Sequence, residues 1–183
     1  MHEYRFAGLL LVGALAGCGG GQPRGPGGSP LESPTATASL VDSTGARVGV
    51  ATFSDSAGSG WLAVSVTGLA PGPHGMHIHE SGTCTTPDFK SAGGHFNPDA
   101  KKHGTLNPEG PHGGDLPNLL VEEDGSADTT LAVPSSLLAE GPSSILGTQQ
   151  RSLVIHADPD DEKTDPSGNS GDRIACGLLF PAH

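Results

Sequence analysis

The sequence predicts an all-β fold, an eight-stranded Greek-key β-sandwich or flattened barrel with two long functional loops. Three observations carry that expectation. Gly and Pro number 29 and 16 among 183 residues, and aromatics reach only 4%; such a composition favours turns over long helices. No segment keeps a helical period over a useful length. Short β-type runs recur instead, separated by turn residues.

These runs fall at 35–42, 46–54, 60–67, 75–80, 118–122, 127–133, 152–157 and 173–180. In the third, Leu62, Val64 and Val66 share one face, because successive side chains of a strand alternate. Gly45, the segment 55–58 and Asp124-Gly125 mark tight connections, Asp-Gly being a strong hairpin signal. Segment 134–150, with Leu137, Leu138, Ile145 and Leu146, is expected to be a packed crossover without chemistry. Segments 81–117 and 158–172 are too long for simple turns, and long loops in compact domains are commonly functional or disordered. The first carries Cys84 and metal-type side chains, which argues for order. No internal repeat is present.

Residues 1–17 read as a lipoprotein-type export signal. Arg5 supplies a positive start, and residues 6–16 form an apolar run too short to span a bilayer. The run closes on Leu15-Ala16-Gly17-Cys18, which resembles a bacterial lipobox. Cys18 is then the lipidated first residue of an exported chain, anchored to a membrane of the cell envelope, in the periplasm or at the outer surface. Ordinary cleavage near Ala16, with Cys18 a plain thiol, is the alternative. Residues 18–34 are dominated by Gly, Pro and Ser and are expected to be a flexible tether. Residues 35–183 remain for a single core.

Setting Cys18 aside leaves Cys84 and Cys176. In an oxidising compartment this even pair implies one disulfide. It would close a loop of roughly 90 residues, worth about 4 kcal/mol in the chain-entropy model. Two buried free thiols are the alternative. Asp and Glu number 20 against 9 Lys and Arg, a net charge of −11. Phosphate backbones need clustered cations, so no nucleic-acid partner is expected.

Nine His in so loop-rich a chain are the first chemical signal. His77-Ile78-His79 lies in an expected strand, so both imidazoles can reach one ion while Ile78 enters the core. His95, His103, His112 and Asp115 follow in one loop, and His156 in another strand. Three His plus a carboxylate suit tetrahedral zinc, whereas four His suit a planar, redox-capable copper site. Six His and one Asp fill two such sites only when one imidazole bridges both ions through its two nitrogens.

The blocks Gly75-Met76-His77-Ile78-His79-Glu80, Gly94-His95-Phe96-Asn97-Pro98, Lys102-His103-Gly104, His112-Gly113-Gly114-Asp115-Leu116 and Gly171-Asp172-Arg173-Ile174-Ala175-Cys176-Gly177 resemble the copper–zinc superoxide dismutase family. All occur in family order, from about residue 35 to the end. The resemblance implies one copper and one zinc ion per subunit. It assigns His77, His79, His95 and His156 to copper, and His95, His103, His112 and Asp115 to zinc. It pairs Cys84 with Cys176. It makes Asp160 the carboxylate that orients ligands of both metals, with Asp158 the neighbouring alternative. It sets Arg173 over the copper to attract the substrate anion, and it makes Arg173 and His95 the catalytic side chains.

The implied activity is dismutation of superoxide to oxygen and hydrogen peroxide, protecting the cell envelope from external superoxide. A homodimer stays open, because dimer surfaces differ within the family. His74 is expected to hydrogen-bond without binding metal, Met76 to sit in the core, and Lys90, Lys101 and Lys102 to be solvated loop charges. The loop 158–172 is shorter than in many eukaryotic members, which leaves steering by residues other than Arg173 open. A non-catalytic copper- and zinc-binding lipoprotein is the competing class; Arg173 weighs against it, since a carrier needs no substrate-guiding cation.

Overall fold

In the computed structural model, β1 (Pro34–Asp42) and β2 (Arg47–Ser56) form an antiparallel hairpin, and β2 pairs in turn with β3 (Ser59–Val66). The structure describes residue 1 and residues 34–182. The expected signal from residue 2, the lipidation site Cys18, the tether up to residue 33, and His183 lie outside the described residues. The remaining strands are β4 (Gly72–His79), β5 (Asp115–Val121), β6 (Ala127–Val133), β7 (Ser152–His156), β8 (Arg173–Leu178) and the two-residue β9 (Phe180–Pro181). They run in the order β5-β4-β7-β8-β1-β2-β3-β6, with β9 beside β1. Every pairing is antiparallel. A tight turn through Gly125 joins β5 to β6, the two ends of that order. The sheet therefore curls back on itself into a nearly closed, flattened barrel.

Local sequence explains most of these elements. In β3, Leu62, Val64 and Val66 are buried while their neighbours face outward. Ala57 and Gly58, at φ 52° and 80°, link β2 to β3. Positive φ at both central residues gives the two-residue turn whose twist matches a hairpin. Leu137, Leu138 and Ile145 of the long crossover are buried in the same core, as its apolar residues predict.

Most strand ends fall within one or two residues of expectation, and three differences go further. β9 adds a ninth strand among the described residues, where the C-terminal segment leaves β7 and pairs with β1 a second time. β4 starts at Gly72 and β5 at Asp115, because these two strands pair from Gly72/Val121 to His77/Asp115, through a bulge at His74/Met76. Pro117 lies within this earlier start of β5. It is tolerated there because β5 ends the strand order and needs no donor on its outer edge.

Two long segments, 80–114 and 157–172, stand outside the barrel. The first leaves β4 after His79, and the second leaves β7 after His156 and returns at Arg173. A Cys84–Cys176 disulfide ties the first to β8. Beneath it, Phe89, Ala92, Val154 and Cys176 form a small apolar cluster separate from the main core. Among the described residues no helix is long and apolar enough to cross a membrane.

Candidate metal centre

Strand β4 places the first ligand candidates by alternation. Met76 and Ile78 enter the main core, fully buried. His77 and His79 point to the opposite face and are fully buried there as well, beneath the two long segments. His156 ends β7 and His95 forms an isolated bridge to His79. His103 and His112 come from the same long segment, and Asp115 opens β5 opposite His77.

The hydrogen bonds set which ring nitrogen each His turns inward. His77 Nε2 donates to Asp160 Oδ2 at 2.6 Å, and His103 Nε2 donates to Asp160 Oδ1 at 2.9 Å. His79 Nδ1 donates to the Gly93 carbonyl at 3.0 Å, and His156 Nδ1 to that of Gly171 at 3.3 Å. What remains is a set of buried nitrogens with no hydrogen-bond partner: His77 Nδ1 and Nε2 of His79, His95 and His156. Buried polar atoms of a folded protein are rarely left without a partner.

These atoms fall into groups of metal-site dimensions. Ligand atoms of His77, His79, His95 and His156 lie within 4.8 Å of one another, and so do those of His77, His95, His103 and Asp115. In the second group His112 fits better than His77, whose Nε2 is already held by Asp160. Nδ1 of His95, His103 and His112 lie 2.9, 3.1 and 3.3 Å from Asp115 Oδ1. His112 Nδ1 is 3.4 Å from His95 Nδ1. Two ligands on a tetrahedral zinc with bonds of about 2.0–2.1 Å sit about 3.3 Å apart, so the residues present fit such an ion. His95 contributes Nδ1 to this group and turns Nε2 toward the other.

Charge follows from the same contacts. Burial lowers His79 to about 2 and His156 to about 3, helped by neighbouring His95 and His77 respectively. Burial also lowers His95, to about 4, against the pull of its Asp115 hydrogen bond. His103 goes the other way. Burial disfavours its charge, but hydrogen bonds to Asp115 and Asp160 outweigh that and raise it to about 9. Burial would raise both carboxyls, yet their histidine partners hold Asp115 and Asp160 well below the usual carboxylate range. Three histidines are thus kept neutral with a lone pair available, which is the form that binds metal.

The supporting contacts separate what sequence reading named from what it missed. Of Asp158 and Asp160, only Asp160 bridges His77 and His103. Asn118, read only as a strand residue, clamps Asp160 from both sides: its amide donates to the Asp160 carbonyl at 2.9 Å and its oxygen accepts the Asp160 N–H at 2.8 Å. Asp165, lost in an acidic loop, accepts the His103 N–H at 2.9 Å and pairs with Lys102 at 3.2 Å. No local signal marks either residue. His74 is buried, with its ring nitrogens 2.7 and 2.8 Å from the carbonyls of His156 and Ala70. Arg173 begins β8 and donates from Nη1 and Nη2 to the carbonyls of Phe89 and Gly93, at 2.8 and 2.7 Å. A cavity of about 530 Å³ opens beside it.

A nearly closed antiparallel barrel with two adjoining histidine-rich groups on its outer wall defines a metal-binding β-barrel protein. The profile of the family described as Copper/zinc superoxide dismutase (SODC) matches residues 47–179. The chain belongs to the copper/zinc superoxide dismutase family, whose members are oxidoreductases. It is 43% identical to "Superoxide dismutase [Cu-Zn] 2" of Aquifex aeolicus, over 79% of this chain and 85% of that one. It is 40% identical to the superoxide dismutase-like protein YojM of Bacillus subtilis, over 98% of this chain and 97% of that one. Among solved structures, a double mutant of a SOD-like protein from Bacillus subtilis superposes with a TM-score of 0.75 at 44% identity, covering 79% of this chain and 96% of its own. The Cu/Zn superoxide dismutase from Brucella abortus superposes at 0.63 with 31% identity, over 78% and 97%.

Proposed function

We propose that the chain dismutes superoxide at a paired copper–zinc centre, turning two superoxide anions and two protons into oxygen and hydrogen peroxide. The observation that carries this is the convergence of buried imidazole nitrogens on two adjoining groups, those of the first group without a hydrogen-bond partner. In this reading, copper is held by His77 Nδ1 and by Nε2 of His79, His95 and His156. Zinc is held by Nδ1 of His95, His103 and His112 and by Asp115 Oδ1. When bound, copper supplies a one-electron couple and zinc a fixed charge without redox chemistry.

The chain's own groups do the rest. His95 faces both groups, so its ring stays anchored through Nδ1 while Nε2 can take up or release a proton beside the substrate. Asp160 and the Gly93 and Gly171 carbonyls fix the tautomers around it. Arg173 keeps its guanidinium at the mouth, braced by two carbonyls, and draws an anion toward the histidine wall. In a chain of net charge −11 that local cation offsets long-range repulsion.

The reading extends to location: an exported protein, lipid-anchored through Cys18, that protects the cell envelope. The export-type segment 1–17 and the Cys84–Cys176 disulfide support it, since disulfides persist in oxidising compartments. Sedimentation of the purified domain decides whether it works as a homodimer.

The test is superoxide dismutation by residues 18–183 alongside their metal content. Activity that requires copper, at about one copper and one zinc per chain, is expected. Two bound metals without turnover would replace the enzyme with a metal carrier. Arg173→Ala should slow turnover and flatten its salt dependence with both metals retained; unchanged kinetics would remove Arg173 from its role.

A further inference from the structure

Among the six histidines of the two metal groups, every ring nitrogen turned outward meets an acceptor, with one exception. His77 and His103 give theirs to Asp160, His79 to the Gly93 carbonyl and His156 to that of Gly171. His95 turns both nitrogens inward. His112 turns Nδ1 toward Asp115 Oδ1, and beside its outward Nε2 the structure sets Asp165 Oδ1, at 3.8 Å. That separation is beyond a hydrogen bond. The His112 side chain is only 7% exposed, so its outward N–H has little access to bulk solvent. A histidine bound to metal through one nitrogen almost always donates the other N–H, which fixes its tautomer and ring orientation.

Asp165 is fixed at this spot by its own contacts. Its Oδ1 accepts the His103 N–H at 2.9 Å, and its Oδ2 pairs with Lys102 Nζ at 3.2 Å. The turn that presents it is braced from within. The Asp161 carboxylate accepts the N–H groups of Lys163 and Thr164 at 3.0 and 2.8 Å and the Asn169 amide at 2.9 Å. Gly168 N–H donates to the Thr164 carbonyl at 2.7 Å. Two carboxylates of the segment 157–172 thus divide the zinc-group histidines between them. Asp160 takes the His103 ring and Asp165 the His103 backbone, and of the two only Asp165 faces the His112 ring. The pair with Lys102 is half-exposed and adds little to stability, so the pair by itself does not account for this placement.

We infer that Asp165 is the positioning residue for His112: it receives the His112 Nε2–H when Nδ1 holds zinc, and so secures zinc and not copper. This rests on the zinc assignment above. A charge-assisted hydrogen bond of about 2.7–2.9 Å asks for a shift of about 1 Å, within reach of a side chain that is 39% exposed.

The test compares Asp165→Ala, Asp165→Asn and Lys102→Gln with the unaltered protein, each titrated with zinc and then copper against a chelator. Zinc affinity should fall about tenfold in Asp165→Ala, while copper affinity holds. Asp165→Asn keeps an acceptor oxygen and should recover most of the loss. Lys102→Gln removes only the outer partner and should leave zinc affinity unaltered. Proton–nitrogen magnetic resonance of the zinc-loaded, copper-free protein gives a readout that a merely structural role would not move. The His112 Nε2–H should be protected from exchange with water in the unaltered protein and exchange freely in Asp165→Ala. Unchanged zinc affinity in Asp165→Ala, equal losses of zinc and copper, or free exchange of that proton in the unaltered protein would each overturn the inference while leaving zinc binding in place. If the unaltered protein took up no zinc, the paired-metal reading would fail, and this inference with it.

Discussion

Asp160 is the residue on which both histidine groups turn. One oxygen takes the N–H of His77 and the other that of His103, which leaves the opposite nitrogen of each ring free to bind. Asn118 holds the Asp160 backbone in place. Asp160→Asn keeps the volume but can accept only one of the two donors. It should weaken metal binding about 10- to 100-fold by chelator competition, with the fold intact by circular dichroism; unaltered affinity would count against the role. Gly168 guards the same carboxylate. It sits at φ 65°, and a Cβ there would collide with the Asp160 carboxyl. Gly168→Ala should lower metal affinity in the same direction. His112→Ala is more selective: it removes one zinc-group nitrogen and none from the other, so zinc should be lost while copper is retained, read by elemental analysis.

At the scale of elements, the two long segments are stitched to each other and to the barrel. Leu106 N–H donates to the Glu162 carbonyl at 2.9 Å, and Asn107 donates to that of Lys163 at 3.2 Å. His103 N–H meets Asp165. Loops that must carry ligands are thereby held as firmly as strands. The Cys84–Cys176 bridge closes the longest of these links, with 92 residues of sequence separation. Replacing both cysteines by serine should cost about 2–4 kcal/mol of unfolding free energy, measured in urea. The segment carrying Phe89 then loses its covalent tie to β8, so Arg173 should become more mobile by nuclear relaxation. An unchanged denaturation midpoint would show that apolar packing around Phe89 suffices.

At the scale of the whole molecule, the buried groups of this centre carry the largest part of the pH sensitivity of the metal-free protein. His79, His95 and His156 fall to about 2, 4 and 3 when folded, against 6.5 when free. As pH falls from 6.5 toward 4, the unfolded chain binds protons that the folded one refuses, so stability declines. Asp115 and Asp160 lose their contribution further down, as pH drops below the ordinary carboxylate range. His103 works in the opposite sense. Raised to about 9, its contribution is complete below 6.5 and is lost as pH climbs through about 9. The melting temperature of the metal-free domain should therefore peak near neutrality and fall on both sides. Loading with metal should flatten that profile, because bound ligands no longer exchange protons. A flat profile without metal would contradict these assignments.

The sequence by itself determined whatever depends on short-range period and chemical type. Alternation in Leu62, Val64 and Val66 gave β3 its buried face, and the 55–58 and Asp124-Gly125 signals placed the hairpins. His77-Ile78-His79 named two neighbours on one face, and six His with Asp115 named a two-site inventory. Only the tertiary structure decided which nitrogen of each ring faces inward. That choice rests on acceptors far away in the chain, such as Asp160 for His77 and Gly171 for His156. Asn118 and Asp165 were illegible for the same reason: their partners lie 42 and 62 residues off. The start of β5 was hidden too, because a proline forbids a ladder donor only if a neighbouring strand needs it, and edge position follows from the strand order alone. Side-chain type and spacing are local properties, whereas tautomer, pairing edge and the charge of a cavity wall are set by groups that only folding brings together.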